Sequence, residues 1–590
     1  MDWCLRFLTI VSLVHLGRCL DFSKNVFGSS GVSGIPAAFG DFNSDELTDM
    51  FMLRDNFRTV QIFLGSDTEP LLKEGPKCTF DNLEISSVVP GDFDGDAFMD
   101  VLITARIDAG DKLGVYINWG GSSYINCTSG KEPLIVVHGE PMVLDFNDDM
   151  VMDLFGLERL PSGLEKRTFW LFKKDRTAPD VRQMPMHHNT SLRLPHSHAF
   201  VDLNLDYTAD LLLSADMHFE VWNGTERHDG FLYSHTIDLP TGLNKHVGQA
   251  LFLDFELKGR IDIVLPICFD KHCSNSTILV HNGHKFHDLE INMKDANNKQ
   301  WGFVVPDNEL FTNAITLRGG DFNMDGYPDL LATLQQHPGN IMQTFLLENV
   351  AKKGNPLSRT FVVRWNALAP FTLDGTIAGA FYDFYQDGIL DVVVVEKTDG
   401  TYRTRAFRNS LDYDANFVKV IVLTGLTNKE VPMTKGPLGR KKKTYGTNLP
   451  GPRIAYHTTT QDGYRQCGTS AQIPQSAYFA LHLPYTIFGL GRTPNFVDSI
   501  TVGLSNQSRT WTQLIPNSQM IVIPWPIKEP WHWKAQLFVT PSKLILMSMV
   551  ALGGTCIVIM LIILGLYIKE KREDKLEKLQ EAHRFHFDAM

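Results

Sequence analysis

Seven short segments of this sequence place acidic and amide side chains at a spacing that suits a hard cation. The common pattern is an Asp, then Asp or Asn two and four residues later, and another Asp eight residues after the first. We call these nine-residue segments Asp loops and number their positions 1 to 9. Ca²⁺ takes about six to eight oxygen ligands at 2.3–2.6 Å and tolerates irregular geometry. The pattern therefore predicts calcium sites, because without a cation the crowded carboxylates would repel one another.

The copies differ in how many ligand oxygens they keep. In the seventh loop Tyr385 replaces the ligand at position 3, and in the fourth Tyr207 stands where the sixth has Gly326. A tight turn with positive φ is strained at a residue other than Gly. Five loops keep oxygens at positions 1, 3, 5 and 9, which predicts the metal ligands Asp41, Asn43, Asp45, Asp49, Asp92, Asp94, Asp96, Asp100, Asp145, Asn147, Asp149, Asp153, Asp202, Asn204, Asp206, Asp210, Asp321, Asn323, Asp325 and Asp329.

The fifth loop, which begins at Asp254, departs furthest from the pattern. It has Glu256 at position 3 and Lys258 at position 5, so a cationic side chain stands where a cation should bind. We expect this loop to hold no metal. The loops also differ from an EF-hand, which needs a bidentate Glu at position 12 between two helices. Position 12 is Met52 in the first loop and Ile103 in the second.

The elements that must position these loops are strands. Apolar runs such as Val101–Ile103 and Val392–Val395 follow position 9 directly, which is typical of a strand, a loop and a second strand. The loops recur at intervals of about 50 to 70 residues, the length of a four-stranded propeller blade with its connections. The sequence therefore predicts an all-β fold with a seven-bladed propeller over residues 20–411.

This pattern resembles the FG-GAP repeats of integrin α subunits, which form a seven-bladed β-propeller with calcium in hairpin loops. Three segments, Pro195–Phe200, Asn323–Asp329 and Glu581–Met590, are similar to the T-cell immunomodulatory protein family, also called the Linkin family. The resemblance implies cell adhesion and modulation of T-cell function through an extracellular protein or cell-surface ligand. It also implies cytoskeletal or RuvB-like ATPase partners for a cytoplasmic tail.

The two ends of the chain predict its topology. Residues 1–19 contain the apolar run Phe7–Leu16 and small residues at a cleavage position, which is typical of a signal peptide. Residues 544–568 carry no charge and are long enough to cross a hydrocarbon core of about 30 Å. Basic residues from Lys569 follow on the predicted cytoplasmic side, where residues 569–590 form the tail. We therefore expect a single-pass type I protein of the plasma membrane, with the secretory pathway or a shed ectodomain as further locations.

Sequons and cysteines agree with an extracellular fold. Five Asn-x-Ser/Thr acceptors predict glycosylation at Asn126, Asn189, Asn223, Asn275 and Asn506. Eight cysteines in 590 residues are too few for a disulfide scaffold. A disulfide between Cys268 and Cys273 would close a small loop, and Cys78 with Cys127 is the other candidate pair, although spacing alone does not establish connectivity.

A second domain is expected between the propeller and the span. The Asp loops stop before residue 412, and runs such as Phe417–Leu423 and Met520–Pro524 are typical of strands. Residues 412–540 are therefore predicted to form a compact β-rich membrane-proximal domain, with a sandwich as one arrangement. The net charge of −12 argues against a nucleic-acid partner, because a phosphate-binding surface should be basic.

Catalysis finds little support in the sequence. An acidic pair such as Asp92 and Asp94 could serve as a phosphorylated nucleophile, but its sevenfold repetition argues against a unique active centre. His187, His188, His196 and His198 lack metal-ligand spacing and are interpreted as loop histidines. The leading prediction is a non-enzymatic adhesion protein whose propeller presents its loops to a partner. A secretory-pathway lectin or chaperone-like receptor, and an ectoenzyme, are the alternatives.

Overall fold

The computed structural model describes most of the chain outside its N-terminal segment. The described residues are 20–107, 112–128, 130–160, 163–185, 191–225, 230–240, 246–307, 314–353, 357–368, 375–409, 415–428, 434–435, 441–442, 445–460, 463–473, 481–491, 496–539 and 543–587. The predicted signal peptide, the sequon at Asn189 and the pair His187 and His188 lie outside these ranges.

Antiparallel strands form the seven blades of a propeller, as predicted from the repeat. The first three blades comprise Ile35–Gly40, Asp49–Arg54, Thr59–Gly65 and Leu72–Thr79; Glu84–Gly91, Asp100–Arg106, Lys112–Gly120 and Ile125–Asn126; and Ile135–Leu144, Asp153–Arg159, Glu165–Leu171 and Asp180–Gln183. The last four comprise Ala199–Val201, Asp210–Ser214, His218–Gly224 and Phe231–Asp238; His246–Val247, Leu251–Leu253, Asp262–Cys268, Ser276–His281 and Phe286–Asp288; Gln300–Phe303, Leu317–Gly320, Asp329–His337, Met342–Ala351 and Arg359–Arg364; and Thr376–Tyr382, Asp391–Thr398 and Thr401–Arg408.

One long strand joins the second and third blades into an eight-stranded sheet. The first part of Ile135–Leu144 pairs with Lys112–Gly120, and its last part pairs with Asp153–Arg159. The register shifts between His138 and Met142, where the strand passes from one blade to the next. The same segment is thus the outer strand of one blade and the inner strand of the following one.

The N-terminal segment closes the ring by completing the seventh blade. Leu20–Asp21 and Val32–Ser33 pair with Thr401–Arg408, and a short helix, Ser23–Phe27, connects them. Arg405 bonds the carboxylates of Asp21 and Glu396, so that an ion-pair network joins the first described strand to the last blade. Residues more than 380 positions apart therefore hold the two ends of the propeller together.

Apolar side chains between adjacent blades form the core. The second strand of the fourth blade, Asp210–Ser214, is buried at every residue, because both faces of a blade pack against its neighbours. Phe39 of the first blade and Tyr382 of the seventh meet with their ring centroids 5.2 Å apart. The core is therefore continuous across the closure of the ring.

Two four-stranded sheets, which we call the C-terminal sandwich, follow the last blade. One sheet contains Asn416–Val422, Thr486–Gly491, Ser518–Ile523 and Lys534–Val539, and the other contains Arg453–Thr459, Arg465–Ala471, Val497–Leu504 and Gln507–Leu514. Two short strands, Thr434–Lys435 and Lys441–Lys442, pair separately, and a 3₁₀ turn covers Pro530–His532. Ile454, Tyr456 and Val522 lie among the fully buried residues between the sheets. Propeller and sandwich form one compact unit.

A single helix, Lys543–Phe587, ends the described chain. Among the described residues it alone is long and apolar enough to cross a membrane. It continues without a break into the charged tail, where Lys569 and Glu573 lie 3.7 Å apart one helical turn from each other. This helix fits a single-pass membrane protein.

Four cysteines are paired in the structure. Cys268 bonds Cys273 within the fifth blade, and Cys78 of the first blade bonds Cys127 at the edge of the second. Cys467 of the C-terminal sandwich is a free thiol.

His196 is buried and His198 is half-buried between the third and fourth blades. Their rings stack with centroids 4.0 Å apart. His196 Nε2 lies 2.7 Å from the backbone oxygen of Glu140, and the Nδ1 atoms of the two rings accept the backbone N–H groups of His198 and Ser214. Burial lowers the pKa of His196 to about 4 and that of His198 well below its usual value. These histidines are packed, hydrogen-bonded components of the propeller.

This burial predicts a pH dependence of stability. The unfolded chain binds a proton at each imidazole with a pKa of about 6.5, whereas the folded chain does not, so the free energy of unfolding should fall as the pH decreases from 6.5 toward 4. His196→Gln should reduce this loss by up to about 3 kcal/mol, measured by urea unfolding across that range. The exposed His272→Gln is the control. A His196→Gln chain with the wild-type pH profile would contradict the prediction.

Candidate metal centres on one face of the propeller

All seven Asp loops lie on one face of the propeller. Each loop joins the first strand of a blade to the second, as the segment between Glu84–Gly91 and Asp100–Arg106 does in the second blade. First strands run in the same direction in every blade, so these connections emerge at the same end. We call this the Asp face, and we call the opposite one, formed by the turns between second and third strands, the turn face.

The loops share one backbone conformation. Position 4 is left-handed in each, at Ser44, Gly95, Asp148, Leu205, Leu257, Met324 and Gln386. Position 6 is left-handed as well, at Glu46, Ala97, Met150, Tyr207, Gly259, Gly326 and Gly388. Tyr207 therefore adopts the positive φ, +68°, that its place in the loop requires. Glycine stands at position 6 in only three of the seven loops, so the loop tolerates the cost of a side chain there.

The position-1 carboxylate fixes that conformation. In every loop one of its oxygens accepts the N–H of position 6, at 2.8–3.2 Å, as in Asp41 with Glu46 at 2.9 Å and Asp321 with Gly326 at 2.8 Å. The remaining pairs are Asp92 with Ala97, Asp145 with Met150, Asp202 with Tyr207, Asp254 with Gly259 and Asp383 with Gly388. The Asp is thus a structural part of the loop, whether or not a metal binds.

The position-9 carboxylate ties the loop to the third strand of its blade. Asp100 accepts the N–H of Phe93 at 3.0 Å and that of Gly120 at 2.7 Å. Five other loops repeat the second bond, in the pairs Asp49 with Gly65, Asp153 with Phe172, Asp210 with Gly224, Asp329 with Asn349 and Asp391 with Asn409. Each oxygen keeps a second lone pair, so these bonds are compatible with metal coordination.

Burial makes the negative charge of these loops costly. Burial and the neighbouring Asp45 raise the pKa of Asp41 to about 8, and burial and Asp94 raise that of Asp92 to about 8. The pKa of Asp321 also rises to about 8, through burial and the charge of Asp325. A divalent cation would relieve both the lost hydration and the mutual repulsion. The donor set of these loops therefore fits a hard cation.

The second loop brings its carboxylates closest together. Among the described residues Asp92, Asp94 and Asp100 offer oxygens that all lie within 4.8 Å of one another, and all three side chains are buried. Arg176 reaches this loop from the third blade, with its Nε 2.5 Å from Asp94 and its Nη2 3.2 Å from Asp96. The guanidinium thus neutralises part of the charge that a metal would otherwise compensate.

The fifth loop uses its own lysine. Lys258 Nζ lies 2.5 Å from Glu256, and Arg260 Nε lies 3.1 Å from Asp262 at position 9. Two cationic side chains therefore face the acids of the loop that departs furthest from the ligand pattern. The position-1 Asp254 keeps its backbone bonds and also accepts the N–H of Thr469 in the C-terminal sandwich.

The C-terminal sandwich covers much of the Asp face. Asp321 accepts the N–H of Gly489 at 3.1 Å, and the N–H of Asn506 donates to the carbonyl of Tyr207. Asn428 donates to the carbonyl of Asp96 in the second loop. In the third loop, Met150 packs into a buried cluster with residues of the sandwich that include Trp533. The sandwich therefore contacts the second, third, fourth and sixth loops of the Asp face.

Arg453 of the sandwich contacts two of the Asp loops. Its Nη1 lies 3.7 Å from Asp202 in the fourth loop, and its Nη2 donates to the carbonyl of Gly259 in the fifth at 2.8 Å. Arg453 and Arg176 were not found from the sequence, because each lies far along the chain from the acids it meets. An isolated Arg carries no spacing signal that would identify such a role.

Three predicted glycosylation acceptors, Asn126, Asn275 and Asn506, are exposed, and Asn223 is half-buried. The exposed side chains are accessible to a glycan.

Comparison with known proteins agrees with the fold. Residues 41–103 match a model of the FG-GAP-like repeat, and residues 444–538 match one described as "ITFG1, C2 domain". The chain is 40% identical to a human T-cell immunomodulatory protein over 100% of this chain and 98% of that one. It is 27% identical to protein linkin of Caenorhabditis elegans over 99% and 100% of the two chains.

Among solved structures, the Dos1 propeller covers 63% of this chain and 78% of its own, with a TM-score of 0.34 and 8% identity. That score is too low to support an argument. The identity of 40% to the human protein, by contrast, extends over nearly the whole length of both chains. This chain therefore belongs to the T-cell immunomodulatory protein family.

Proposed function

We propose that this protein is a type I cell-surface glycoprotein that acts in cell adhesion and in modulation of T-cell function by binding another protein. The observation that carries this proposal is an integrin-like FG-GAP propeller in a chain with one apolar C-terminal helix. The names of the relatives support binding rather than catalysis. The cytoskeletal or RuvB-like ATPase partners of the tail stay a prediction from the resemblance.

The proposed location is the plasma membrane. A surface protein of this topology exposes the propeller and the C-terminal sandwich to the outside. Biotinylation of intact cells should label it, whereas a resident of the endoplasmic reticulum or Golgi would stay unlabelled. A purely intracellular pool would favour the lectin or chaperone-like alternative.

We further propose that calcium stiffens the propeller. The support is the donor set of the loops together with the raised pKa values of buried acids such as Asp41 and Asp92. A hard cation bound there would neutralise groups that burial otherwise penalises. The first, second, third, fourth and sixth loops are the proposed sites. In the second and fourth, Arg176 and Arg453 would share the acids with the metal.

Calcium removal tests this proposal. Chelation should lower the melting temperature of the full chain, because a ligand that binds only the folded state contributes about 2.7 kcal/mol per site at a hundredfold excess over Kd. Asp325→Ala, at position 5 of the sixth loop, should reduce bound calcium by about one equivalent. Lys258→Ala, at position 5 of the fifth loop, is the matched control and should leave bound calcium unchanged. Equal melting with and without chelator would contradict a structural role for calcium.

The proposed binding surface is the turn face. The Asp face is covered by the C-terminal sandwich at the second to seventh loops, as the contacts of Asp96 and Asp321 illustrate. The turns at the other end of the second strands project away from it. Five blades expose a large apolar side chain in this turn, at Ile107, Leu164, Met217, Phe269 and Ile341. We take these five side chains as the candidate apolar contacts of a protein partner.

Substitutions on the turn face test this assignment. Met217→Lys combined with Phe269→Lys should weaken cell–cell adhesion by the expressed chain about tenfold or more, because buried apolar anchors dominate interface energies. Leu232→Lys combined with Val181→Lys, which changes exposed apolar residues of outer strands, is the matched control. Surface amounts are measured by biotinylation. Equal adhesion by both double variants at equal surface amounts would place the partner elsewhere.

A further inference from the structure

The seventh Asp loop is the one in which a side chain of the C-terminal sandwich reaches the acids most directly. Lys419 lies in the strand Asn416–Val422, and its ammonium points into the loop that begins at Asp383. Nζ lies 3.3 Å from Asp383 Oδ2 and 2.5 Å from Gln386 Oε1. Both the Lys419 and the Asp383 side chains are at most 1% exposed. A lysine this deeply buried requires partners on several sides.

The surroundings of the ammonium complete such a set. Nζ of Lys419 lies 3.8 Å from the centroid of the Tyr485 ring, which belongs to the same sandwich. This distance is within the range of a cation–π interaction. Asp387 at position 5 adds a favourable electrostatic interaction. The ammonium is thus held by a carboxylate, an amide oxygen and an aromatic face, with no solvent around it.

The loop itself is adapted to this arrangement. Tyr385 removes the ligand oxygen at position 3, while the left-handed Gln386 at position 4 supplies an amide oxygen instead. Gly388 at position 6 allows Phe417, two residues before Lys419, to approach the loop so closely that a Cβ there would collide with its ring. The strand Asn416–Val422 therefore provides both the apolar contact of Phe417 and the charge of Lys419.

The two loops that lack the full ligand pattern each hold an ammonium at their acids. In the fifth loop Lys258 comes from the loop itself and is about half exposed, whereas in the seventh loop Lys419 comes from another domain and is buried. In both loops a lysine of the chain itself balances the negative charge of the acids. Only the Lys419 contact also joins two domains.

We propose that the seventh Asp loop is a binding site for the Lys419 ammonium in place of a metal ion, and that this contact locks the C-terminal sandwich onto the propeller. Lys419 acts as a fixed counter-ion of Asp383 and Asp387. The sandwich thereby gains a charged, buried anchor on the Asp face. The proposal is independent of whether calcium binds the other loops.

A double-mutant cycle on the full chain in detergent tests the lock. Lys419→Met leaves buried acids without their counter-ion and should lower the melting temperature by about 5 °C or more. Asp383→Asn should lower it as well, and the double variant should lose clearly less than the sum of the two, because the interaction is already absent. Lys258→Met, which removes the half-exposed ammonium of the fifth loop, is the matched control and should change the melting temperature by about 2 °C or less. Additive losses in the cycle would overturn the proposal.

Calcium stoichiometry distinguishes an ammonium site from a metal site. Asp383→Asn should leave the number of bound calcium ions unchanged, measured by equilibrium dialysis, whereas loss of one equivalent would show that the seventh loop binds metal and would overturn the proposal. If Lys419→Met does not fold, Gln386→Leu is the second variant, which removes the amide acceptor of Lys419 together with the bond from Gln386 Nε2 to the Asp383 carbonyl. It should then speed the protease cleavage that separates the sandwich from the propeller, and an unchanged cleavage rate would contradict the lock.

Discussion

Buried carboxylates at positions 1 and 9 are the constraint on which this structure depends. The position-1 carboxylate holds the backbone of each Asp loop with positive φ at positions 4 and 6, as Asp92 does in the second blade. The position-9 carboxylate ties the loop to the third strand, as Asp100 does in the same blade. A blade cannot keep this geometry without burying acids, and a buried acid cannot stay charged without a cation nearby. Seven copies of the loop therefore create the same electrostatic requirement seven times on one face.

Different positive charges can balance the buried acids of the seven Asp loops. Full ligand sets in five loops suit a hard divalent ion, and Arg176 assists the second. Lys258 serves the fifth loop from within. Arg453 lies beside the fourth loop, and Lys419 enters the seventh, both from the C-terminal sandwich. Because the sandwich supplies these cations, the charge of the propeller contributes to holding its neighbour, together with apolar contacts such as that of Met150 with Trp533. The proposed partner surface is then the opposite face.

The fold could be predicted from the sequence because its signal is local and repeated. The nine-residue spacing with apolar flanks identifies the loops, the strands and the number of blades. The expectation of strain at Tyr207 was incomplete, because position 6 is left-handed in every loop and non-glycine residues occupy it in four of them. The closure of the ring by Leu20–Asp21 was not foreseen, since a two-residue strand carries no periodicity.

The covered Asp face could not be predicted for a different physical reason. Lys419 is an isolated lysine in an apolar strand, and a lysine at such a position ordinarily points to solvent. Its partner Asp383 belongs to another domain, so only the folded chain brings the two together. The same holds for Arg176, which lies 82 residues from Asp94.

A fixed ammonium and a bound metal ion also respond differently to the surroundings. Occupancy of a calcium site falls with the concentration of free calcium, whereas a lysine held in the fold stays in place at any calcium concentration. If the seventh loop uses Lys419 and the fifth uses Lys258, these two blades keep their charge balance when calcium is scarce. The seventh blade is also the one that Leu20–Asp21 completes, where the ring would otherwise open. A metal-independent counter-ion is therefore placed in the blade on which closure of the whole propeller depends.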